Sequence, residues 1–298
     1  MDNIVKKYIK TEKRPLLTRK TKKIIKKVIF TFIALILSLI LIIPFVWMVI
    51  CSFQESPELI FANPPVMPNF FKVGFKNYVL AFETIDMLKM IKNTLIIVFW
   101  NLVLSVTSSI IVSYGFARSR VKEKGVWFAI LLSTMMLPWV VTLVPSYIIY
   151  SKIGWVGTRL PLILPAIGGN AFYIFLLRQF FMGIPRELDE AAEIDGCNKF
   201  TTLFRILLPQ AKPVIATIVV FSFVGTWSDY VGPRIYLASS PELQTLSVGL
   251  NHFRSQSSAM PWHAVMAACV VFTIPMVFTM YISQKQFTEG IVTSGLKG

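Results

Sequence analysis

Residues 28–50 read VIFTFIALILSLILIIPFVWMVI, a run of 23 positions without a charged side chain. A helix needs about 20 apolar residues to cross the hydrocarbon layer, where an unpaired backbone amide finds no water. The run is too long for the core of a signal peptide. Cys51-Ser-Phe-Gln-Glu55 behind it is a poor cleavage site, so the segment is expected to remain as an anchor. Ahead of it stand eleven Lys and Arg, from Lys6 to Lys27, out of 30 in the chain. A basic block directly before an apolar run reads as an orienting flank that meets anionic lipid. The formal charge of +15 therefore does not point to nucleic acid as a partner.

The rest of the chain extends the same reading. It is 55% hydrophobic with a mean hydropathy of +0.64, above the soluble range. Further apolar blocks at about 90–116, 126–149, 161–181, 213–231 and 263–282 bring the expected spans to six, in an all-α integral membrane fold. The loops 1–27, 117–125, 182–212 and 283–298 carry 21 Lys and Arg; the loops 51–89, 150–160 and 232–262 carry 7. By the positive-inside rule both termini are expected in the cytoplasm. The organisation is then a basic tail (1–27), a six-helix transmembrane domain (28–282) holding a polar loop (182–212), and a C-terminal tail (283–298).

Span three contains Pro138 and Pro145, and span four opens with Pro161 and Pro165 before Gly168-Gly169. Such residues break the helical ladder and are tolerated in membranes where neighbours or a cavity satisfy the backbone. Kinks made for packing are the favoured reading, with a backbone exposed to a ligand as the alternative. The three cysteines, Cys51, Cys197 and Cys269, have neither disulfide nor metal-ligand spacing. His252 and His263 lie outside any HExxH pattern, so no metal site is expected.

The loop 182–212 reads MGIPRELDEAAEIDGCNKFTTLFRILLPQAK, with five acids against four bases. Pro185 suits the first turn of a helix, and Glu187, Asp189 and Glu190 follow where the positive end of the dipole favours acids. Gly196 is the natural left-handed stop. Asn198 can then cap a second helix with Phe200, Leu203, Phe204 and Leu207 on an apolar face, which Pro209 and Pro213 end. A helix, a glycine turn and an amphipathic helix suit docking to another protein; the same spacing also fits a pair lying on the membrane surface.

Glu190-Ala191-Ala192, three residues, Gly196, nine residues and Ile206-Leu207-Leu208-Pro209 together match, without a gap, the EAA loop of ABC importer permeases. The chain resembles the carbohydrate-uptake branch, the maltose-type second permease, from Val28 to Gly298. The resemblance includes Phe75-Lys-Asn-Tyr78, Asn93-Thr94, Tyr114-Gly-Phe-Ala-Arg118, Met136-Leu-Pro138 with Pro145, Arg178-Gln-Phe-Phe181 and Gln286-Phe287 through Gly295-Leu-Lys-Gly298. It implies a type I ABC importer transmembrane domain. Implied partners are a second permease, two cytoplasmic ATP-binding subunits, an extracellular solute-binding protein and membrane lipid. It further implies that Glu190, Ala191, Ala192, Asp195, Gly196, Phe200, Ile206, Leu208 and Pro209 couple to an ATPase subunit, and that 285–298 is an ordered contact between the ATPase subunits. ATP and Mg belong to those partners; no cofactor is expected in this chain. Two departures stand out: Cys197 replaces the family's usual alanine, and Ser228 its commoner asparagine.

Asp229 lies in Gly225-Thr-Trp-Ser-Asp-Tyr230, near the outer end of span five. An ionisable group at such depth is a functional candidate, and Trp227 and Tyr230 offer the flat faces and polar tips that hold a sugar ring. An interfacial aromatic belt with Asp229 paired to Arg234 fits as well. Asn170, after the Gly168-Gly169 break, joins the candidate pathway. The loop 232–262 is expected to reach toward a docked solute-binding protein.

No GxxxxGK[ST] loop is present, so the chain is not expected to hydrolyse ATP, and it lacks the GxSxG and HExxH patterns of a hydrolase. An ion-coupled transporter would need no docking loop. The expected function is a permease subunit forming half of a carbohydrate pathway. A permease for glycerol phosphate or a modified sugar, or a non-transporting assembly scaffold, are the alternatives.

Overall fold

A computed structural model describes residues 19–62, 66–253 and 260–295, with the side chains of residues 19, 20, 22 and 285–295 outside the description. Among the described residues every regular element is helical. The chain divides into two units, 1–50 and 51–298.

The first unit is made by α1 (Arg19–Cys51), which starts well before Val28 and so takes the last basic residues of the flank into its first turns. Pro44 lies inside it, and Ser38 returns its hydroxyl to the Ala34 carbonyl at 2.8 Å. A helix apolar on every side suits a lipid environment.

In the second unit, short helices α2 (Phe70–Val73) and α3 (Lys76–Thr84) lead to α4 (Met87–Arg118), the full second span. α4 runs through both hydrophobic cores. Met87 and Val98 belong to one, with Ala81, Trp227, Leu246, Phe253 and Ala264. Val106, Ile110 and Ala117 belong to the other, with Leu177, Phe181, Leu203 and Leu207.

Span three is two helices, α5 (Lys124–Thr134) and α6 (Trp139–Lys152), bent by 94° across Pro138. That is a change of direction, larger than a packing kink, because Pro138 caps α6 in an extended conformation. Pro145 sits inside α6 without ending it. Among the described residues five helices are long and apolar enough to cross a membrane, and six if the bent pair is one span.

Span four is a turn of helix, α7 (Leu160–Ile163), then a 3-10 segment (Leu164–Gly168), then α8 (Ala171–Gly183). Gly169 at φ +74° lets the chain restart, and a Cβ there would lie 3.2 to 3.4 Å from Ile174, Ser109 and Ser108. After α9 (Glu187–Ile194), α10 (Lys199–Thr201) continues through a π segment (Thr202–Leu207) and a 3-10 segment (Leu208–Ala211) into α11 (Lys212–Trp227). This corrects the expected stop at Pro209 and Pro213. Both prolines sit in the first two positions of a new segment, where no amide is needed, so the ladder changes pitch without ending. α12 (Val231–Tyr236) and α13 (Leu246–His252) precede α14 (Trp262–Gly295), which carries Pro275 and continues past residue 282.

Candidate coupling loop and candidate solute pathway

α9 owes its position to both of its ends. Pro185 lies just outside it, not in its first turn as expected; Arg186 is the N-cap residue and the acids Glu187, Asp189 and Glu190 fill the first turn. At the other end the Gly196 N–H donates to the Glu193 carbonyl at 3.1 Å and the Cys197 N–H to the Ala192 carbonyl at 2.9 Å. Those two bonds, with Gly196 at φ +77°, form a Schellman motif. Asn198 caps the next helix as expected, its Oδ1 accepting from the Thr201 N–H at 2.8 Å.

The nine candidate coupling residues divide by exposure. Glu190, Ala191, Asp195, Gly196 and Pro209 are exposed, and Phe200 is 67% exposed. Ala192 is buried, and Ile206 and Leu208 pack half-buried against the second core. The expected single apolar face on Phe200, Leu203, Phe204 and Leu207 splits. Leu203 and Leu207 enter the core while Phe200 and Phe204 are exposed, as is Ile194. Leu203, Phe204 and Leu207 lie inside the π segment, whose wider turn brings residues four apart into line and so separates Leu203 and Leu207 from Phe200 and Phe204. Reading α-helical periodicity through a proline-flanked segment could not anticipate it.

One anchor of the loop escaped the sequence reading. Arg118, in the last turn of α4, forms an ion pair with Asp189 (Nε to Oδ2, 3.0 Å) and donates from Nη2 to the Ile184 carbonyl at 3.0 Å. The Arg118 and Asp189 side chains are 9% and 23% exposed. The basic end of Tyr114–Arg118 and the acid before Glu190 were both visible, but 71 residues of chain separate them.

The candidate pathway residues behave differently from one another. Trp227 is 1% exposed, stacks on Phe223 at 5.7 Å and donates its indole N–H to the Phe272 carbonyl at 3.0 Å. It is a core residue here, so the expected stacking face for a sugar is covered. Asn170 caps α8, its Oδ1 accepting from the Phe172 and Tyr173 amides at 2.9 and 3.3 Å. Tyr230 is exposed.

Asp229 lies beyond the last residue of α11 and accepts from the Gly232 N–H at 3.1 Å. Its pairing with Arg234 does not form; the two ion pairs among the described residues are Lys72–Glu55 and Arg118–Asp189. Asp229 lines a cavity of about 200 Å³ with Thr94, Asn101, Thr226 and Thr245 as its other polar walls. Above it Asn93 donates to the Glu242 and Gln244 carbonyls at 2.9 and 3.0 Å and accepts from Arg159 at 2.7 Å. The Thr94 hydroxyl accepts the Leu246 amide at 2.9 Å. This clamp holds 241–246 over the end of α4. The part of the expected outer loop at 254–259 and the side chains of the C-terminal contact at 285–298 lie outside the described residues.

With these features in place, the chain can be set beside known proteins. Residues 106–292 match the family described as binding-protein-dependent transport system inner membrane component. The chain belongs to that family of multi-pass cell-membrane permeases. It is 28% identical over 93% of its length to the trehalose/maltose transport system permease protein MalG of Thermococcus litoralis, covering 99% of that protein. It is 31% identical over 86% of its length to the probable ABC transporter permease protein YurM of Bacillus subtilis, covering 83% of it. A chain of a bacterial ABC transporter involved in the import of alginate has the same fold, with TM-score 0.77, 22% identity and coverage of 92% and 99%. The resemblance carried by the EAA loop and the other motifs is thereby borne out at the level of family and fold.

Proposed function

We propose that this subunit forms half of the pathway of an ATP-driven carbohydrate importer and is driven through the loop 182–212 by cytoplasmic ATPase subunits. A second permease completes the pathway, and an extracellular solute-binding protein delivers the sugar. Both termini and the 182–212 end are assigned to the cytoplasm, and the 232–253 end to the outside, in keeping with the distribution of Lys and Arg.

The observation that carries the reading is the presentation of Glu190. It stands exposed on a short helix whose far end is closed by the Schellman turn, while Leu203 and Leu207 root the following helix in the core. An exposed acid on a rooted knob, in a loop that also exposes Phe200 and Ile194 at 67% and 86%, has the make-up of a docking surface. Family membership and similarity to a trehalose/maltose permease support the substrate class.

The mechanism is alternating access. ATP closes the ATPase dimer, the knob follows, and α10–α11, continuous through Pro209 and Pro213, carry the displacement into span five. The test is co-purification with the proteins of neighbouring genes, then ATP hydrolysis in liposomes with and without binding protein loaded from a panel of mono- and oligosaccharides. Stimulation by a loaded protein is the expected result, and Glu190→Ala uncouples hydrolysis from uptake. A stable complex that no loaded binding protein stimulates overturns it in favour of an assembly scaffold.

A further inference from the structure

We propose that Arg118 is a positioning residue that makes α4 move with the coupling loop, giving the loop a second route into the membrane besides its covalent route through α11. The inference rests on the coupling reading above.

The covalent connection of α9 to the bundle passes through the Gly196 turn and the π and 3-10 segments, where the helical ladder changes pitch twice. Arg118 bypasses all of it. Its Nε meets Asp189 at 3.0 Å, one position before Glu190, and its Nη2 holds the Ile184 carbonyl on the entry strand of the loop at 3.0 Å. The two contacts grip both the first turn of α9 and the chain that leads into it. The Arg118 side chain is 9% exposed and the Asp189 side chain 23%, so sliding Asp189 away would leave a guanidinium charge largely shielded from water.

α4 has a matching grip at its opposite end. Asn93 and Thr94 take the backbone of 242–246. Between the two grips the helix is unbroken from Met87 to Arg118. A displacement entering at Asp189 is thus delivered at the segment covering the Asp229 cavity. The coupling is carried by one rigid element held at two named points.

The experiment uses the assembled transporter with Cys51, Cys197 and Cys269 replaced by alanine and spin labels on Ile111→Cys (α4) and Glu187→Cys (α9). Distances are read by pulsed electron resonance, nucleotide-free and after ADP-vanadate trapping. A reference label on the corresponding loop of the partner permease reports whether the coupling loop moves at all. The Ile111–Glu187 distance stays constant on trapping in the parent and in Arg118→Lys. In Arg118→Ala and Asp189→Ala it shifts by about 5 Å, the pitch of a helical turn. The double variant shifts no more than either single one, as a shared contact requires. A constant distance in both alanine variants, a shift in the parent, or an additive double variant overturns the inference while leaving the coupling reading intact. No movement of the parent loop against the reference label overturns both.

Discussion

The indole N–H of Trp227 donates to the backbone carbonyl of Phe272 at 3.0 Å, and the two rings lie 5.9 Å apart. The bond joins the end of α11 to the middle of α14 by a carbonyl that is already part of a helical ladder. Trp227→Phe keeps most of the apolar contact and removes the donor; it is expected to lower stability by about 1 kcal/mol. Trp227→Ala opens a cavity and is expected to cost about 3–5 kcal/mol. Thermal unfolding of the detergent-solubilised transporter checks both, and a phenylalanine variant as damaging as alanine would contradict the assignment of its role to packing.

Asn93 holds three partners with one amide, the carbonyls of Glu242 and Gln244 and the guanidinium of Arg159. Asn93→Ala is expected to release 241–246 from α4, raising hydrogen exchange there by about tenfold or more as bonds worth about 1 kcal/mol each are lost. Asn93→Asp keeps the partner for Arg159 but turns an acceptor toward two carbonyls. It is expected to release the segment as fully as alanine does, and exchange measured by mass spectrometry separates the two contributions.

At Gly196 the cost of a side chain is one of backbone strain, since φ is +77° and a Cβ would find nothing within 4 Å. Gly196→Ala is expected to destabilise the turn by about 1–2 kcal/mol, with valine worse. Asn198→Ala removes the cap of the next helix at a cost of about 1 kcal/mol. Both should raise hydrogen exchange across 190–201 before they affect global unfolding. An alanine at 196 without effect would mean that the turn can take another conformation.

Gly232 is required for a different reason. A Cβ there would stand 2.5 Å from Asp229 Oδ2 and 3.0 Å from a Leu162 methyl, so Gly232→Ala has to push the carboxylate out of place. A loss of about 1–3 kcal/mol is expected, together with reduced uptake. Gly225, in the neighbouring helix with nothing within 4 Å of a Cβ, is the control; its alanine variant is expected to be neutral or more stable by about 0.5–1 kcal/mol. Unfolding temperatures of the two variants side by side decide the matter.

The legible part of this protein is its local chemistry. Apolar length predicted the membrane-spanning helices, Gly196 and Asn198 announced a turn and a cap that form as read, and the EAA spacing placed the family. Each depends on residues close in sequence, where backbone preference and helical period dominate. Pro138, visible as a breaker, becomes a 94° change of direction, a size that the presence of a proline does not by itself specify.

What the tertiary structure decided is which side chains meet. Arg118 and Asp189 pair across 71 residues, Asn93 reaches about 150 residues ahead to residue 244, and Trp227 turns from a candidate sugar platform into a buried tie to Phe272. The same aromatic on the same helix serves either purpose, and the choice rests on the neighbour that covers it. Hydrophobic pattern selects the elements; the approach of distant helices, with each buried polar group forced to find a partner, selects the contacts.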